Sequence, residues 1–148
     1  QVGALTTWSK PASGAQFTMA IKTDGTFWGW GLNTFGQLGL GNTTSYSSPK
    51  QVGALTNWNK IFCGNDHTIA IKTDGTLWSW GRNNKGQLGL NNLIYYSSPK
   101  QVGTGTNWYE AACGEGWTIA TKTDGTLWTW GINFQRNIIL CFSAFTLL

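Results

Sequence analysis

Apolar and polar residues alternate over three stretches of the chain, residues 18–31, 68–81 and 118–131. Alternation with a period of two predicts β-strands that bury one face. In the second copy Asp74-Gly75 separates two such runs, which predicts a β-hairpin with a type I′ turn. That turn would place Thr73 opposite Thr76, and the pairs Ile71–Trp78 and Ile69–Trp80 on one face. A two-stranded ribbon cannot bury two indoles alone, so each copy needs a neighbour.

The remaining sequence of the second copy adds two more strands and a glycine-rich loop. We predict strands at 58–63, 67–73, 76–80 and 97–102. The glycines of segment 86–90 permit a bulge or a close backbone approach. Pro99 cannot donate a ladder hydrogen bond, so the last strand should form the outer edge of its sheet.

A 50-residue period organises the chain, because 32 positions of residues 1–50 are identical in residues 51–100. Strand-rich repeats of this length predict an all-β fold of β-propeller blades, each with four antiparallel strands. We divide the chain into repeats 1–50, 51–100 and 101–133, the third incomplete, and a divergent apolar tail, 134–148. The exposed flank of a terminal blade must be covered by further repeats, a second chain or a cap.

The third copy departs from the pattern after Asn133, where Arg136-Asn-Ile-Ile-Leu140 replaces the glycine-rich segment. The tail could cover the last blade as a strand or cap. Alternatively, the coding sequence is truncated or shifted in frame here, which the joint loss of Ser-Ser-Pro-Lys favours. The apolar run 138–148 is too short to span a membrane as a helix.

Composition agrees with many short strands, since the 148 residues include 10 Trp and 20 Gly. The net charge of +4 comes largely from lysines that recur with the repeat, which indicates solubility and edge protection. We therefore expect no nucleic-acid partner. Cys63 and Cys113 share one repeat position with Ser13, a pattern typical of a small buried residue and not of a disulfide framework.

No constellation of catalytic or metal-binding residues emerges. His67 is replaced by Phe17 and Trp117 in the other repeats, so its position favours a packed flat ring. The aspartates Asp24, Asp74 and Asp124 each occupy a hairpin turn, where Asp is common and one carboxylate is too few for calcium. We expect no enzyme activity, no cofactor and no metal.

The motif that begins at Trp58, continues through Cys63-Gly64-x-x-His67-Thr68 and Asp74-Gly75-x-Leu77-Trp78-x-Trp80-Gly81, and ends in Gly86-Gln-Leu-Gly89 resembles the regulator-of-chromosome-condensation repeat family. The resemblance covers residues 1–133. It implies a propeller, usually of seven blades, whose loops bind other macromolecules. The best-known members promote nucleotide exchange on a small GTPase, but three repeats cannot close such a ring and no wedge-like insertion is present. Self-association through the blade flanks, or membership of a longer repeat chain, would supply the blades that a closed ring needs.

We therefore expect a non-catalytic scaffold that binds a protein partner through the loops that differ between repeats. A carbohydrate-binding propeller, with a glycan as ligand, and a fragment of a guanine-nucleotide exchange factor are the alternatives. The candidate partner-binding residues are the variable and interface-type residues of these loops and their borders: Phe17, Phe35, Tyr46, Asp66, His67, Arg82, Lys85, Tyr95, Tyr96, Glu115 and Trp117.

Overall fold

The computed structural model describes residues 7–132, in which the chain forms eleven β-strands and no helix. The predicted all-β class is confirmed. The strands are five or six residues long and rich in β-branched and aromatic side chains, which suit a half-buried pleated surface. They are β1 (Trp8–Ser13), β2 (Phe17–Lys22), β3 (Phe27–Gly31), β4 (Tyr46–Gln51), β5 (Trp58–Cys63), β6 (His67–Lys72), β7 (Leu77–Gly81), β8 (Tyr96–Gln101), β9 (Trp108–Cys113), β10 (Trp117–Lys122) and β11 (Leu127–Gly131).

The strands form three antiparallel sheets in sequence order, β1–β4, β5–β8 and, among the described residues, β9–β11. The first strands β1, β5 and β9 contact one another in turn, whereas β4 and β8 are the far edges of their sheets. This is the arrangement of propeller blades, with the first strand innermost. The predicted edge position of the strand that contains Pro99 is confirmed.

Two sequence predictions cannot be compared with this fold. The expected fate of the tail, 134–148, falls outside the described residues. The division of the chain after residues 50 and 100 stays a prediction, because the strands fit several choices of repeat boundary.

The predicted hairpin register is wrong by one residue. Ile71 pairs with Leu77 and Ala70 with Trp78, because the connecting loop has three residues instead of two. Lys72 N–H donates to the carbonyl of Thr76, and Gly75 N–H donates back to the carbonyl of Lys72, both at 3.0 Å. Gly75 has a positive φ of 76° but Asp74 does not, so the turn is not type I′.

The Asp74 carboxylate explains the longer loop. Its Oδ1 accepts hydrogen bonds from Thr76 N–H at 3.0 Å and from Thr76 Oγ1 at 2.6 Å, which closes the turn around the side chain. Asp24 and Asp124 make the same bonds to Thr26 and Thr126. The changed register puts the indoles on the face of Thr68, Ala70 and Lys72 and the isoleucines on the opposite face.

The hydrophobic core lies between successive blades. The sheet face that carries the isoleucines packs against the indole-bearing face of the next sheet. This packing occurs at both blade interfaces. Trp80 is 0% exposed and Trp130 is 7% exposed, so the prediction that neighbouring ribbons bury these indoles is confirmed. Removing about 200 Å² of indole from water contributes roughly 5 kcal/mol as an upper bound. The first interface joins Phe17, Met19, Ile21 and Phe27 to Trp58, Ala70 and Trp80; the second joins Ile69, Ile71 and Leu77 to Trp108, Ala120 and Trp130.

A backbone carbonyl of the glycine-rich loop links each blade to the next. The carbonyl of Gln37 accepts from Trp80 Nε1 at 2.9 Å and from Thr68 Oγ1 at 2.8 Å. A Cβ added to Gly39 would lie 2.7 Å from the same indole nitrogen. The glycine is therefore required for the close backbone approach that the sequence predicted. Gln87 and Gly89 repeat the arrangement against Trp130 and Thr118.

Candidate functional site

The loops that vary between repeats emerge at one end of the blades. In an antiparallel sheet in sequence order, the connection between strands one and two and the connection between strands three and four share an end. We call this the loop end: residues 14–16, 32–45, 64–66, 82–95 and 114–116. The opposite end, with the hairpin turns 23–26, 73–76 and 123–126, is the turn end.

All the candidate residues lie in the loop end or on the first residue of a strand that leaves it. They differ in access to solvent, which decides what each can contact. Lys85, Tyr95 and Glu115 are exposed; Phe35, Tyr46, Asp66, Arg82, Tyr96 and Trp117 are half-buried; Phe17 and His67 are buried.

One buried asparagine holds each long loop in shape. Asn83 Nδ2 donates to the carbonyls of Asn92 at 2.8 Å and Ile94 at 3.1 Å, and Asn83 Oδ1 accepts from Leu88 N–H at 3.0 Å. Asn33 makes the equivalent bonds to Asn42, Leu38 and Thr44. Both asparagines are 0% exposed, so the loop backbones are rigid while the side chains at their tips can differ.

An arginine joins the loops of the first two blades. Arg82 Nη1 lies 3.1 Å from Asp66 Oδ2, and the guanidinium carbon lies 4.8 Å from the ring centre of Phe35. Phe35 in turn makes an edge contact with Tyr95, with the ring centroids 5.7 Å apart. Arg82 donates a hydrogen bond to the Asp66 carboxylate, and this bond raises the pKa of Arg82. We call these four residues the Arg82 cluster.

The tip of the second long loop is apolar. Leu93, Ile94 and Tyr95 are 45%, 59% and 43% exposed, and they follow one another in the chain. The first repeat has Thr43-Thr44-Ser45 at the same positions. Sequence reasoning missed Leu93 and Ile94, although this polar-to-apolar replacement in an otherwise repeated segment is the signal that would have found them.

Phe17 and His67 lie inside the blade interfaces. His67 is 0% exposed, and its Nε2 lies 3.0 Å from Thr118 Oγ1 in the next blade. Burial lowers the pKa of His67 from 6.5 to about 4, so the ring is neutral near pH 7. This agrees with the expectation that the position holds a packed flat ring. Phe17, at the equivalent position, is 3% exposed.

The cysteines of the described residues are free thiols. Burial raises the pKa of Cys113 to about 12 and also raises that of Cys63, so both stay protonated at neutral pH and react slowly as nucleophiles. Within residues 7–132 no three or more His, Cys, Asp or Glu side chains are placed to hold a metal ion. The same residues include no helix able to cross a membrane.

Stacked sheets whose indoles lie in the interfaces, with variable loops at one end, define a segment of a repeat-built β-propeller. The family model described as Regulator of chromosome condensation (RCC1) repeat matches residues 24–71 and 74–121, and a second model of that description matches residues 58–87. The chain belongs to the regulator of chromosome condensation repeat family.

This chain matches only part of the length of each relative. The ultraviolet-B receptor UVR8 of Arabidopsis thaliana is 46% identical over 43 residues, which are 29% of this chain and 10% of UVR8. Human WBSCR16 superposes with a TM-score of 0.75 at 23% identity, over 84% of this chain and 33% of that one. Yeast RCC1 (Prp20) bound to Kap60 superposes with a TM-score of 0.78 at 23% identity, over 86% of this chain and 33% of that one.

A second structure of Prp20p, from Saccharomyces cerevisiae, was described together with its binding to Gsp1p and histones. It gives a TM-score of 0.76 at 23% identity, over 86% of this chain and 34% of that one. This chain thus spans about a third of the solved propellers that it resembles. At this identity the likeness shows the fold alone.

Proposed function

We propose that the chain is a non-catalytic propeller scaffold that binds a protein partner through its loop end. The observation that carries the proposal is the exposed tip Leu93-Ile94-Tyr95 beside the Arg82 cluster. A rigid backbone that presents neighbouring aliphatic, aromatic and guanidinium groups is typical of protein interfaces, where Tyr and Arg are enriched.

The burial and charge of the tip support a protein over other partners. Three consecutive apolar side chains at 43–59% exposure form a patch that water solvates poorly. Arg82 is already paired with Asp66 and stacked on Phe35, so it can add a hydrogen bond to a partner without first being ordered. A protein surface offers both apolar side chains and carbonyl acceptors to such a patch. The fold relative Prp20, yeast RCC1, is described with protein partners in both of its structures, which favours the same class here.

Phe17 and His67 would contribute to partner binding only indirectly. Both side chains are buried between blades, so they would support the loops without touching the partner. Asp66, Lys85, Glu115 and Trp117 would extend the contact surface toward the neighbouring blades, and Tyr46 and Tyr96 would brace the long loops through their hydroxyl groups, which lie 3.3 Å from Asn42 and Asn92.

The first repeat supplies the matched variant for a test. Replacing Leu93-Ile94-Tyr95 by the Thr-Thr-Ser of the first repeat removes the patch and leaves the bonds of Asn83, which involve backbone carbonyls. The control is Leu55→Thr, which removes a side chain 51% exposed from the segment between β4 and β5, away from the loop end.

The purified chain and both variants are used to capture proteins from a lysate of the source cells, and direct binding of each captured protein is then measured with purified components. A GTPase of the Gsp1 type and histones are included as named probes. We expect at least one direct partner whose affinity falls tenfold or more with the loop replacement and is unchanged by Leu55→Thr. The proposal would be refuted if every direct partner bound the loop variant with the same affinity as the natural chain.

A further inference from the structure

Two equivalent grooves lie between successive blades, away from the Arg82 cluster. The first groove has a volume of about 370 Å³ and is lined by Gly39, Val52, Leu55, Trp58, Lys72 and Trp78 among others. The second groove, of about 330 Å³, is lined by the repeat equivalents Gly89, Val102, Gly105, Trp108, Lys122 and Trp128 among others. Neither lining contains an aspartate or glutamate.

Each groove contains an ammonium group with no carboxylate partner. Lys72 is 7% exposed, and its Nζ lies 4.8 Å from the ring centre of Trp58 and 3.8 Å from that of Trp78. Lys122 Nζ lies 4.8 and 4.5 Å from the corresponding indoles of the second groove. The ion pairs of the described residues are Lys60–Glu110 and Arg82–Asp66, which involve neither lysine. Burial lowers the pKa of Lys72, and the Asp74 charge opposes this only in part.

Each groove also contains a buried hydrogen-bond donor without an acceptor. Trp58 Nε1 and Trp108 Nε1 are enclosed and have no partner within residues 7–132, although their residues are only 4% and 8% exposed. The other indoles of these blades differ, since Trp80 and Trp130 donate to backbone carbonyls and Trp78 donates to Thr76 Oγ1. A buried donor left unpaired loses the hydrogen bond that it would make with water, so a repeated one calls for an acceptor.

The two donors of the second groove converge on one spot. A Cβ added to Gly105 would lie 3.4 Å from Trp108 Nε1, 3.5 Å from Asn107 Oδ1 and 3.6 Å from Lys122 Nζ. Asn107 Oδ1 borders the spot, but it makes no hydrogen bond to Trp108 Nε1, which stays unpaired among the described residues. An acceptor atom beside this glycine can therefore contact both the indole N–H and the ammonium. Gly105 leaves the space open, whereas the first groove has Leu55 at the equivalent position and is therefore narrower at this spot. Val102 and the Trp128 ring supply an apolar wall.

We propose that each groove binds the carboxylate of a small organic acid. The apolar body of the acid packs against Val52 and Trp78 in the first groove, and against Val102 and Trp128 in the second. One carboxylate has two acceptor oxygens, enough to pair the indole N–H and to neutralise the lysine. A neutral amide could satisfy the indole but would leave the lysine charge, buried at Lys72 and half-buried at Lys122, without a counter-ion. Inorganic phosphate would supply charge without a body to fill the apolar part of the groove.

Benzoate is the probe, with benzamide and inorganic phosphate as matched controls for charge and for the apolar body. The indole N–H signals of the full chain are followed by NMR and assigned through single Trp→Phe variants. We expect benzoate to move the signals of Trp58 and Trp108, whereas that of Trp80 stays, because this indole lines neither groove and already donates to the Gln37 carbonyl. Benzamide and phosphate should bind at least tenfold more weakly.

Charge-neutral lysine variants separate the two grooves. Lys72→Gln should weaken benzoate binding at Trp58 about tenfold or more and leave Trp108 unchanged, and Lys122→Gln should do the reverse. Lys100→Gln removes the same charge from an exposed position of β8 and should affect neither groove. If one variant fails to fold, the other still tests its own groove. Immobile Trp58 and Trp108 signals, equal binding of the three probes, or unchanged affinity in the lysine variants would overturn the proposal.

Discussion

His67 makes the stability of the blade stack depend on pH. The ring is 0% exposed between the second and third blades, with Nε2 at 3.0 Å from Thr118 Oγ1 and Nδ1 without a partner. A Cβ added to Gly64 would lie 2.2 Å from the ring, so no room remains for water around that edge. Charging the imidazole would bury a cation without a counter-ion, which is why its pKa falls from 6.5 to about 4.

The direction and size of the change in stability follow from proton binding to His67 in the folded and unfolded states. Below pH 6.5 the unfolded chain binds a proton at His67, whereas the folded chain does so only below about pH 4. The contribution of His67 to the free energy of unfolding is therefore constant above about pH 7 and decreases as the pH falls through this window. At about 1.4 kcal/mol per pH unit, the loss reaches roughly 3 kcal/mol near pH 4.

The turn aspartates act in a separate pH range. Hydrogen bonds from Thr26, Thr76 and Thr126 lower the pKa values of Asp24, Asp74 and Asp124 below 3.8. Their contribution to stability is present above pH 3.8 and is lost only as the pH falls further. The turn aspartates therefore do not account for a loss of stability between pH 6.5 and pH 4, the window in which His67 acts.

Urea unfolding of the natural chain and of His67→Phe at a series of pH values measures this effect. Phenylalanine is the matched replacement because Phe17 occupies the same place in the first blade, and Thr118 keeps its bond to the carbonyl of Gln87. We expect the natural chain to lose roughly 3 kcal/mol between about pH 7 and pH 4 and the variant to lose much less. Equal pH slopes for the two proteins would refute the assignment.

Two further substitutions, and a third that serves as a control, test the loops and turns by urea unfolding. Asn83→Ala should cost about 2–3 kcal/mol, because the buried N–H of Leu88 and the loop carbonyls lose their partner; a change below about 0.5 kcal/mol would contradict this role. Gly75→Ala should cost about 3 kcal/mol or more, since its Cβ would lie 2.0 Å from the carbonyl oxygen of Thr106 at φ +76°. Gly53→Ala, at φ +59° with nothing within 4 Å, should cost only about 1 kcal/mol, and equal losses would disprove the steric argument.

The repeat made the fold largely predictable from sequence. Alternation and turn residues located the four strands of the second blade to within about a residue, and Pro99 identified the outer edge. The hairpin register was not predictable from the Asp-Gly pair. Asp-Gly fits both a two-residue turn and a three-residue loop, and the choice depends on the Asp74–Thr76 hydrogen bonds, a side-chain effect that strand periodicity does not record.

The candidate site was only partly predictable for a similar reason. Variation between repeats selected residues that lie in the loop end or border it, Arg82 and Tyr95 among them. It could not separate exposed from buried positions, so it included His67, whose ring varies because each blade interface fills the same space with a different side chain. Leu93 and Ile94 were missed because aliphatic residues in loops were not weighted as interface residues.

Amide hydrogen exchange of the chain with and without its direct partner tests the proposed surface most directly. We expect slowed exchange at residues 64–66, 82–85 and 91–96 in the complex, and unchanged exchange at the turns 23–26, 73–76 and 123–126. Protection confined to those turns, with none in 91–96, would contradict recognition through the loop end.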